Sequence, residues 1–396
     1  MNRTIAPLLF LSVLYGCQRD LDIPAGESAA EPTAHASMLP HAAPRLELEL
    51  LTETTGMPVE FGSIRSIVAD GTGQVFVADG LSQEIVVLTP GGRRLRTIGR
   101  RGRGPGEFSG LSSLAWEGDT LVALDVETRR VTRFTSDGLL VATSPWPAEA
   151  GRPVRLYQSG PRVYGAGSVV RPTVLFGSAA EAAAHWREPE IIYSVLANDG
   201  TAHSFVAAHD TASEHRGFEC DGPRLIEIFP EPLLGYNGPL RAFVSPQELA
   251  RVSPDEYRID IVDVTSGDTV RTIEREYPAP RMTDEEWGEA TRYFRERDRA
   301  VGPLSCDIES MRPEYLPIVR SMVSDEAGRL WVETRRADGY AISVVDRQGR
   351  LLGESSLPPR DERVPLYVRN GRLYLVAIGE YDVQSVEVYG IEGFKP

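Results

Sequence analysis

Four short runs between residues 64 and 99 decide the fold: Ile64-Arg-Ser-Ile-Val-Ala-Asp-Gly71, Gln74-Val-Phe-Val-Ala-Asp79, Glu84-Ile-Val-Val-Leu88 and Arg94-Leu-Arg-Thr-Ile-Gly99. Each is rich in β-branched or apolar residues. At their junctions stand Asp70-Gly-Thr-Gly73, Gly80-Leu-Ser-Gln83 and Pro90-Gly-Gly92, whose Gly, Pro and Asp favour tight turns. Apolar runs of this length bounded by such residues read as strands. The segment is therefore four strands in about forty residues, a repeat length used by propeller blades.

The same arrangement recurs outward along the chain. A second unit uses Leu111, Leu121-Val-Ala-Leu-Asp125, Val131-Thr-Arg-Phe134 and Leu139-Leu-Val-Ala-Thr143. A third starts near Val154 and uses Arg162-Val-Tyr-Gly165, Ile191 to Leu196 and His203 to Val206. A fourth uses Leu240 to Val244, Tyr257 to Val262 and Thr269 to Ile273, and a fifth uses Ile318 to Val323, Arg329 to Glu333, Tyr340 to Val345 and Leu351 to Glu354. The last supplies only Pro365 to Val368, Arg372 to Ala377 and Val383 to Val388. Leu46-Glu-Leu-Glu-Leu-Leu51 alternates apolar and charged residues, as a half-buried strand should, and can complete that unit. The expectation is an all-β, six-bladed β-propeller closed by an N-terminal strand, with helical insertions in its connecting loops. A two-domain β-sandwich accounts less well for the period and the three-plus-one count.

Gly99-Arg-Arg-Gly-Arg-Gly-Pro-Gly-Glu-Phe108 resembles the Gly-rich linker between blades of NHL-type six-bladed propellers, and Val68-Ala-Asp-Gly71 with Val75-Phe-Val-Ala-Asp79 resembles their inner-strand motif. The match is specific in the first unit, fair in the fifth and weak in the third and fourth. The family includes binding modules and enzymes, so the resemblance implies a fold and no activity.

The chain of 396 residues begins with a different composition. Arg3 precedes an apolar run from Ile5 to Leu14, too short to span a bilayer and suited to a secretory signal. Leu14-Tyr15-Gly16-Cys17 resembles the bacterial lipobox, with Tyr15 where a small residue is usual. That resemblance implies cleavage before Cys17 and a lipid on its sulfur; the alternative is an ordinary cleaved signal. Residues 1–16 are thus expected to be a signal peptide, 17–45 a lipidated disordered tether rich in Ala, Pro, Glu and Ser, and 46–396 the propeller. The expected location is the bacterial cell envelope, facing the periplasm or the cell surface, as a monomer that meets the membrane through its lipid alone.

A net charge of −15 argues against nucleic-acid binding, and 41% hydrophobic with 25% charged residues is ordinary for a folded domain. Long segments fall at 170–189, 210–239 and 277–316. In a propeller, connectors to the next blade and loops between second and third strands emerge on one face, so these insertions gather there, and loops of such length are often functional. Thr283-Asp-Glu-Glu286 is a capping box, with Trp287, Ala290 and Phe294 on one stripe, so a helix is expected to dock on the propeller. A shorter helix is expected over Ser178 to Trp186. Cys220 and Cys306 flank the fourth unit, and in an exported protein a disulfide between them is expected.

Catalytic motifs are not evident, and no catalytic residue is assigned. Arg93, Arg94, Arg96, Arg100, Arg101 and Arg103 crowd one loop. Arg100, Arg101 and Arg103 are anion-binding candidates; the alternative is an exposed turn whose arginines pair with nearby acids. Resemblance to metal-dependent propeller lactonases, lyases and phosphotriesterases would imply an axial Ca²⁺, with Asp70, Asp79, Asp125 and Asp325 as candidates by register. Turn formation explains Asp70 and Asp325 equally well. His185, His203, His209 and His215 lack metal-ligand spacing. The preferred expectation has no cofactor and no metal site: a binding or scaffold propeller whose partner is an envelope protein or a small-molecule or glycan ligand, with its site on the face carrying the insertions. The alternative is a metal-dependent hydrolase or lyase.

Overall fold

Strands β3–β6 span Ile64–Ala69, Val75–Asp79, Glu84–Leu88 and Arg94–Ile98, after β1 (His35–Met38) and β2 (Glu47–Glu53). The short pair β7 (Arg100–Arg101) and β8 (Glu107–Phe108) leads to β9–β12 at Leu111–Glu117, Thr120–Asp125, Arg130–Thr135 and Leu140–Pro145. Strands β13–β16 span Arg152–Ser159, Arg162–Val169, Glu190–Leu196 and Ala202–Phe205. Strands β17–β20 span Arg241–Ser245, Glu248–Ser253, Arg258–Asp263 and Thr269–Glu274. Strands β21–β24 span Val319–Ser324, Leu330–Arg336, Gly339–Val345 and Leu351–Leu357, and β25–β27 span Tyr367–Arg369, Arg372–Ile378 and Gln384–Glu392. The computed structural model describes residues 35–40, 43–54, 60–160, 162–169, 190–196, 202–205, 240–253, 256–292 and 312–392.

These strands form an all-β propeller. Five sheets have four antiparallel strands in the orders β3-β4-β5-β6, β9-β10-β11-β12, β13-β14-β15-β16, β21-β22-β23-β24 and β25-β26-β27-β2. A sixth has five strands, β17-β18-β19-β20-β1. The first strands of successive sheets neighbour one another, from β3 to β9, β13, β17, β21 and β25, and β25 again meets β3.

The apolar runs explain this stacking. A middle strand is covered on both faces by neighbouring sheets, so β4 is buried at every position and reads as a continuous hydrophobic stretch. An outer strand such as β6 is mostly exposed, and its sequence is correspondingly charged. The core lies in layers between sheets. Phe76, Ile85 and Val87 pack on Leu114, Trp116 and Phe134, with the Phe76 and Trp116 rings edge to face at 5.0 Å. On the other side of the same sheet, Ile67, Val77 and Val86 pack on Tyr374, Val376 and Val388.

Polar staples tie neighbouring inner strands. The Leu114 amide donates to Ser66 Oγ at 3.1 Å, and the Leu156 amide to Ser113 Oγ at 3.2 Å. The Leu111 amide donates to Gln83 Oε1 at 2.8 Å, and the Ile64 amide to Gln384 Oε1. Strand β2 pairs antiparallel with β27, with Glu47 opposite Glu392 and Glu53 opposite Glu387.

Two sequence expectations need correction. A structureless tether through residue 45 does not hold. His35–Met38 adds in parallel to β20, the Leu39 amide donates to the Glu274 carbonyl at 2.7 Å, and Leu39 is 4% exposed. Backbone hydrogen bonding to an open strand edge needs no apolar pattern, which is why the segment was unreadable. The fourth unit contains a further strand, β18, whose Glu-Leu-Ala-Arg composition favours helix until it pairs on both sides. The helix α1 covers Asp284–Ala290, and Thr291 is its C-cap. Its capping box forms as expected, and Trp287 packs with Met282 and Leu316. Phe294, the segments 170–189 and 210–239 with the Ser178 to Trp186 stretch, and Cys17, Cys220 and Cys306 lie outside the described residues.

Candidate functional site: the central cavity

The six inner strands surround a cavity of about 390 Å³. Its wall includes Ser66 from β3, Ser113 from β9, Arg155 and Tyr157 from β13, Arg241 and Phe243 from β17, and Tyr367 and Arg369 from β25. It reaches Gly118-Asp119, Gly160 and Asp325-Glu326, which are turns between first and second strands. Those turns lie on the face opposite the connectors that carry the insertions. The described part of the cavity is thus bounded at one end by these turns. The inner strands set the channel's width.

The cavity wall carries both charge signs; Asp325 is fully engaged, while Asp119 and Glu326 are exposed. Asp325 accepts from the amides of Ala327 and Arg329 at 2.9 and 3.0 Å, from Arg329 Nε at 2.6 Å and from Trp331 Nε1 at 3.1 Å. Glu326 accepts from the Asn370 amide at 2.8 Å. Arg369 and the Tyr367 hydroxyl both donate to the Ala69 carbonyl, at 3.0 and 3.3 Å. Burial pushes the Tyr367 phenol up to about 12, so it stays a neutral donor. Arg241 is 4% exposed. Arg155 is half-buried and has no hydrogen-bond or ion-pair partner among the described residues.

The axial-metal candidates are structural acceptors. Asp70 takes the amides of Thr72 and Gln74 at 2.8 and 2.9 Å, closing its own turn. Asp79 takes those of Gly62, Ser63, Leu81 and Ser82 at 2.9, 3.0, 2.9 and 3.3 Å. Burial alone would raise the Asp79 carboxyl, but these four N–H groups outweigh it and hold it below the usual range. Asp125 takes Ser109, Glu127 and Thr128 in the same way, at 2.8, 3.1 and 2.8 Å. Together with Asp325, these aspartates fix turns and connectors in three different sheets. Among the described residues no group of three or more His, Cys, Asp or Glu side chains stands ready for a metal.

In the arginine loop, one of the three anion-binding candidates meets an acid. The loop's own acid, Glu107, bonds Arg100 at 2.8 Å and accepts from the Gly104 amide at 2.8 Å. Those two bonds, the Gly104 amide first, hold the Glu107 carboxyl below its ordinary value. Arg101 donates to the Leu81 carbonyl, and the Arg103 carbonyl accepts from Arg130 at 2.8 Å. Arg100, Arg101 and Arg103 are exposed and do not converge on the cavity.

Sequence reasoning missed a buried ionic cluster near the insertion-bearing face. Glu333 meets Arg360 in an ion pair and accepts from Ser321 Oγ at 2.6 Å. Arg320 pairs with Glu362 and stacks over Tyr340 at 4.4 Å. Arg335 reaches Glu286 of α1 at 3.6 Å. The helix is thereby docked on the fifth sheet, and it does not line the described cavity.

No family model matches the chain, and no curated relative matches it. Among solved structures it is similar to a putative exported protein from Bacteroides fragilis, at 11% identity over 91% of this chain and 100% of that one, with a TM-score of 0.49. It is also similar to a virginiamycin B lyase from Staphylococcus aureus, at 13% identity over 89% and 90%, TM-score 0.38. A third is a gluconolactonase from Xanthomonas campestris, at 12% identity over 88% and 97%, TM-score 0.43. These likenesses carry no statement about this chain's activity.

Proposed function

We propose that this chain is a ligand-binding module of the bacterial cell envelope: a six-bladed propeller clasped by β2, exported by residues 1–16 and lipidated at Cys17. The observation that carries the binding reading is the central cavity, where the Arg155 side chain has no partner among the described residues and Asp325 is committed to its own turn, to Arg329 and to Trp331. Binding needs oriented donors and an apolar wall. Acid–base or metal-assisted hydrolysis needs an available carboxylate, imidazole or ion, and the candidate aspartates are spent on backbone amides.

Three measurements test this reading. The full-length chain is incubated with a panel of lactones and phosphotriesters, with Ca²⁺ and with EDTA. No turnover above buffer is expected, and EDTA-sensitive turnover would replace the binding reading with the hydrolase alternative. Radioactive fatty acid is expected to label the wild type and not Cys17→Ser, and equal labelling of both would remove the lipid anchor. In the same preparation, non-reducing peptide mapping is expected to join Cys220 to Cys306.

A further inference from the structure

We infer that the central cavity binds a small organic monocarboxylate with an aromatic or similarly flat body, gripped by Arg155 beside Arg241; this rests on the binding-module reading and names its ligand class. The register of two neighbouring strands carries the inference. Strands β13 and β17 lie side by side in the ring and run in the same sense. Tyr157 on β13 meets Phe243 on β17 edge-on, with centroids 6.0 Å apart. Arg155 and Arg241 stand two positions earlier on those strands and so occupy one level of the cavity wall, on the same side as the rings.

Two guanidinium groups at one level repel each other in a site of reduced dielectric. Arg241 makes an interaction of its own, whereas the Arg155 side chain has none among the described residues. Asp325 is paired with Arg329, while Asp119 and Glu326, the latter accepting the Asn370 amide and keeping its charge, lie exposed at the rim. A guanidinium offers the forked donors that match a carboxylate.

Charge and size narrow the ligand. The wall holds Arg155, Arg241 and Arg369 against Asp119, Asp325 and Glu326, a formal balance of zero. One added negative charge is accommodated beside Arg155, whereas a polyanion meets the rim acids. A volume of about 390 Å³ lies at the small end of ligand sites, which run from about 300 Å³ upward. Tyr157 and Tyr367, both half-buried on the wall, supply aromatic surface for the ligand's body, and Phe243 packs behind Tyr157.

The test uses the full-length chain and sodium benzoate as probe, with sodium chloride at equal ionic strength as control, read by calorimetric titration. Saturable benzoate binding is expected. Arg155→Gln should weaken it at least tenfold, Arg155→Lys should be intermediate, and both variants should melt within about 2 °C of the wild type, as expected for a side chain without partners among the described residues. Benzyl alcohol, which lacks the charge, should bind at least tenfold more weakly than benzoate. Absence of saturable binding, equal affinity of Arg155→Gln, or equal binding of benzyl alcohol would each overturn the proposal. Inorganic phosphate displacing benzoate with equal or better affinity would also overturn it, in favour of a simple anion site. Failure here with no lactone turnover leaves the binding-module reading standing. Turnover in that separate assay removes the module reading whatever benzoate does.

Discussion

Glu333 is 1% exposed, and its ion pair with Arg360 is nearly dry. Burial alone would raise its carboxyl; the Arg360 guanidinium, with help from Arg320 and Ser321, reverses this and holds it below the usual carboxylate range. Arg320 is lowered by burial to about 10 and so remains a cation at neutral pH. Removing the Glu333 charge would strand Arg360 in the interior. Glu333→Gln is therefore expected to cost about 3–5 kcal/mol, measured by urea unfolding at pH 7. Because the folded value is depressed, this contribution is present above the ordinary glutamate range. It is lost as pH falls through the folded value, so the gap between wild type and variant should narrow in acid. None of this was legible in the sequence. Glu333 ends an apolar run and reads there as a solvated strand terminus, and Arg360 is one of 41 arginines. Only stacking of the fifth sheet against the connector before β25 brings them together. Arg155 was unreadable for the same reason: its significance lies in its side chain having no partner among the described residues, which spacing cannot reveal.

At the level of elements, the turns were the most readable feature. Asp70, Asp325 and Asp346 each stand three residues before a glycine, and each carboxylate caps its own turn. Gly328 shows why glycine is required. Its φ is +74°, and an added Cβ would lie 2.1 Å from the Val244 carbonyl oxygen of the neighbouring sheet. Gly328→Ala is expected to cost about 2–4 kcal/mol in chemical denaturation. Gly71→Ala, with open space around it, should fall within about 0.5 kcal/mol of wild type. The capping box of α1 was also readable, because Thr283 and Glu286 are close in sequence and bond reciprocally. Thr283→Ala should destabilise the helix by about 1 kcal/mol, seen as faster amide exchange across 284–290. Strands β1 and β18 were unreadable because their residues have little intrinsic strand preference. Edge pairing in one case and pairing on both sides in the other override that preference.

At the scale of the whole molecule, the forty-residue period and the missing strand of the last unit pointed to the propeller. The position of the cavity did not follow from them. Sequence length drew attention to the insertions, while the cavity is walled by short inner strands that differ little from unit to unit. Deleting residues 46–53 should expose the edge of β27, lowering the melting temperature and producing concentration-dependent association in size-exclusion chromatography. The pairing of Glu47 with Glu392 has a further consequence, in time rather than in space. It closes a loop of nearly the whole chain, at an entropic cost of about 5 kcal/mol. During synthesis at 5–20 residues per second, the early strand waits roughly 20–70 s before its partner exists. Throughout that interval every intermediate is an open arc with two unsatisfied ends, so a chain stalled before residue 384 cannot make this junction, however well its earlier sheets are built.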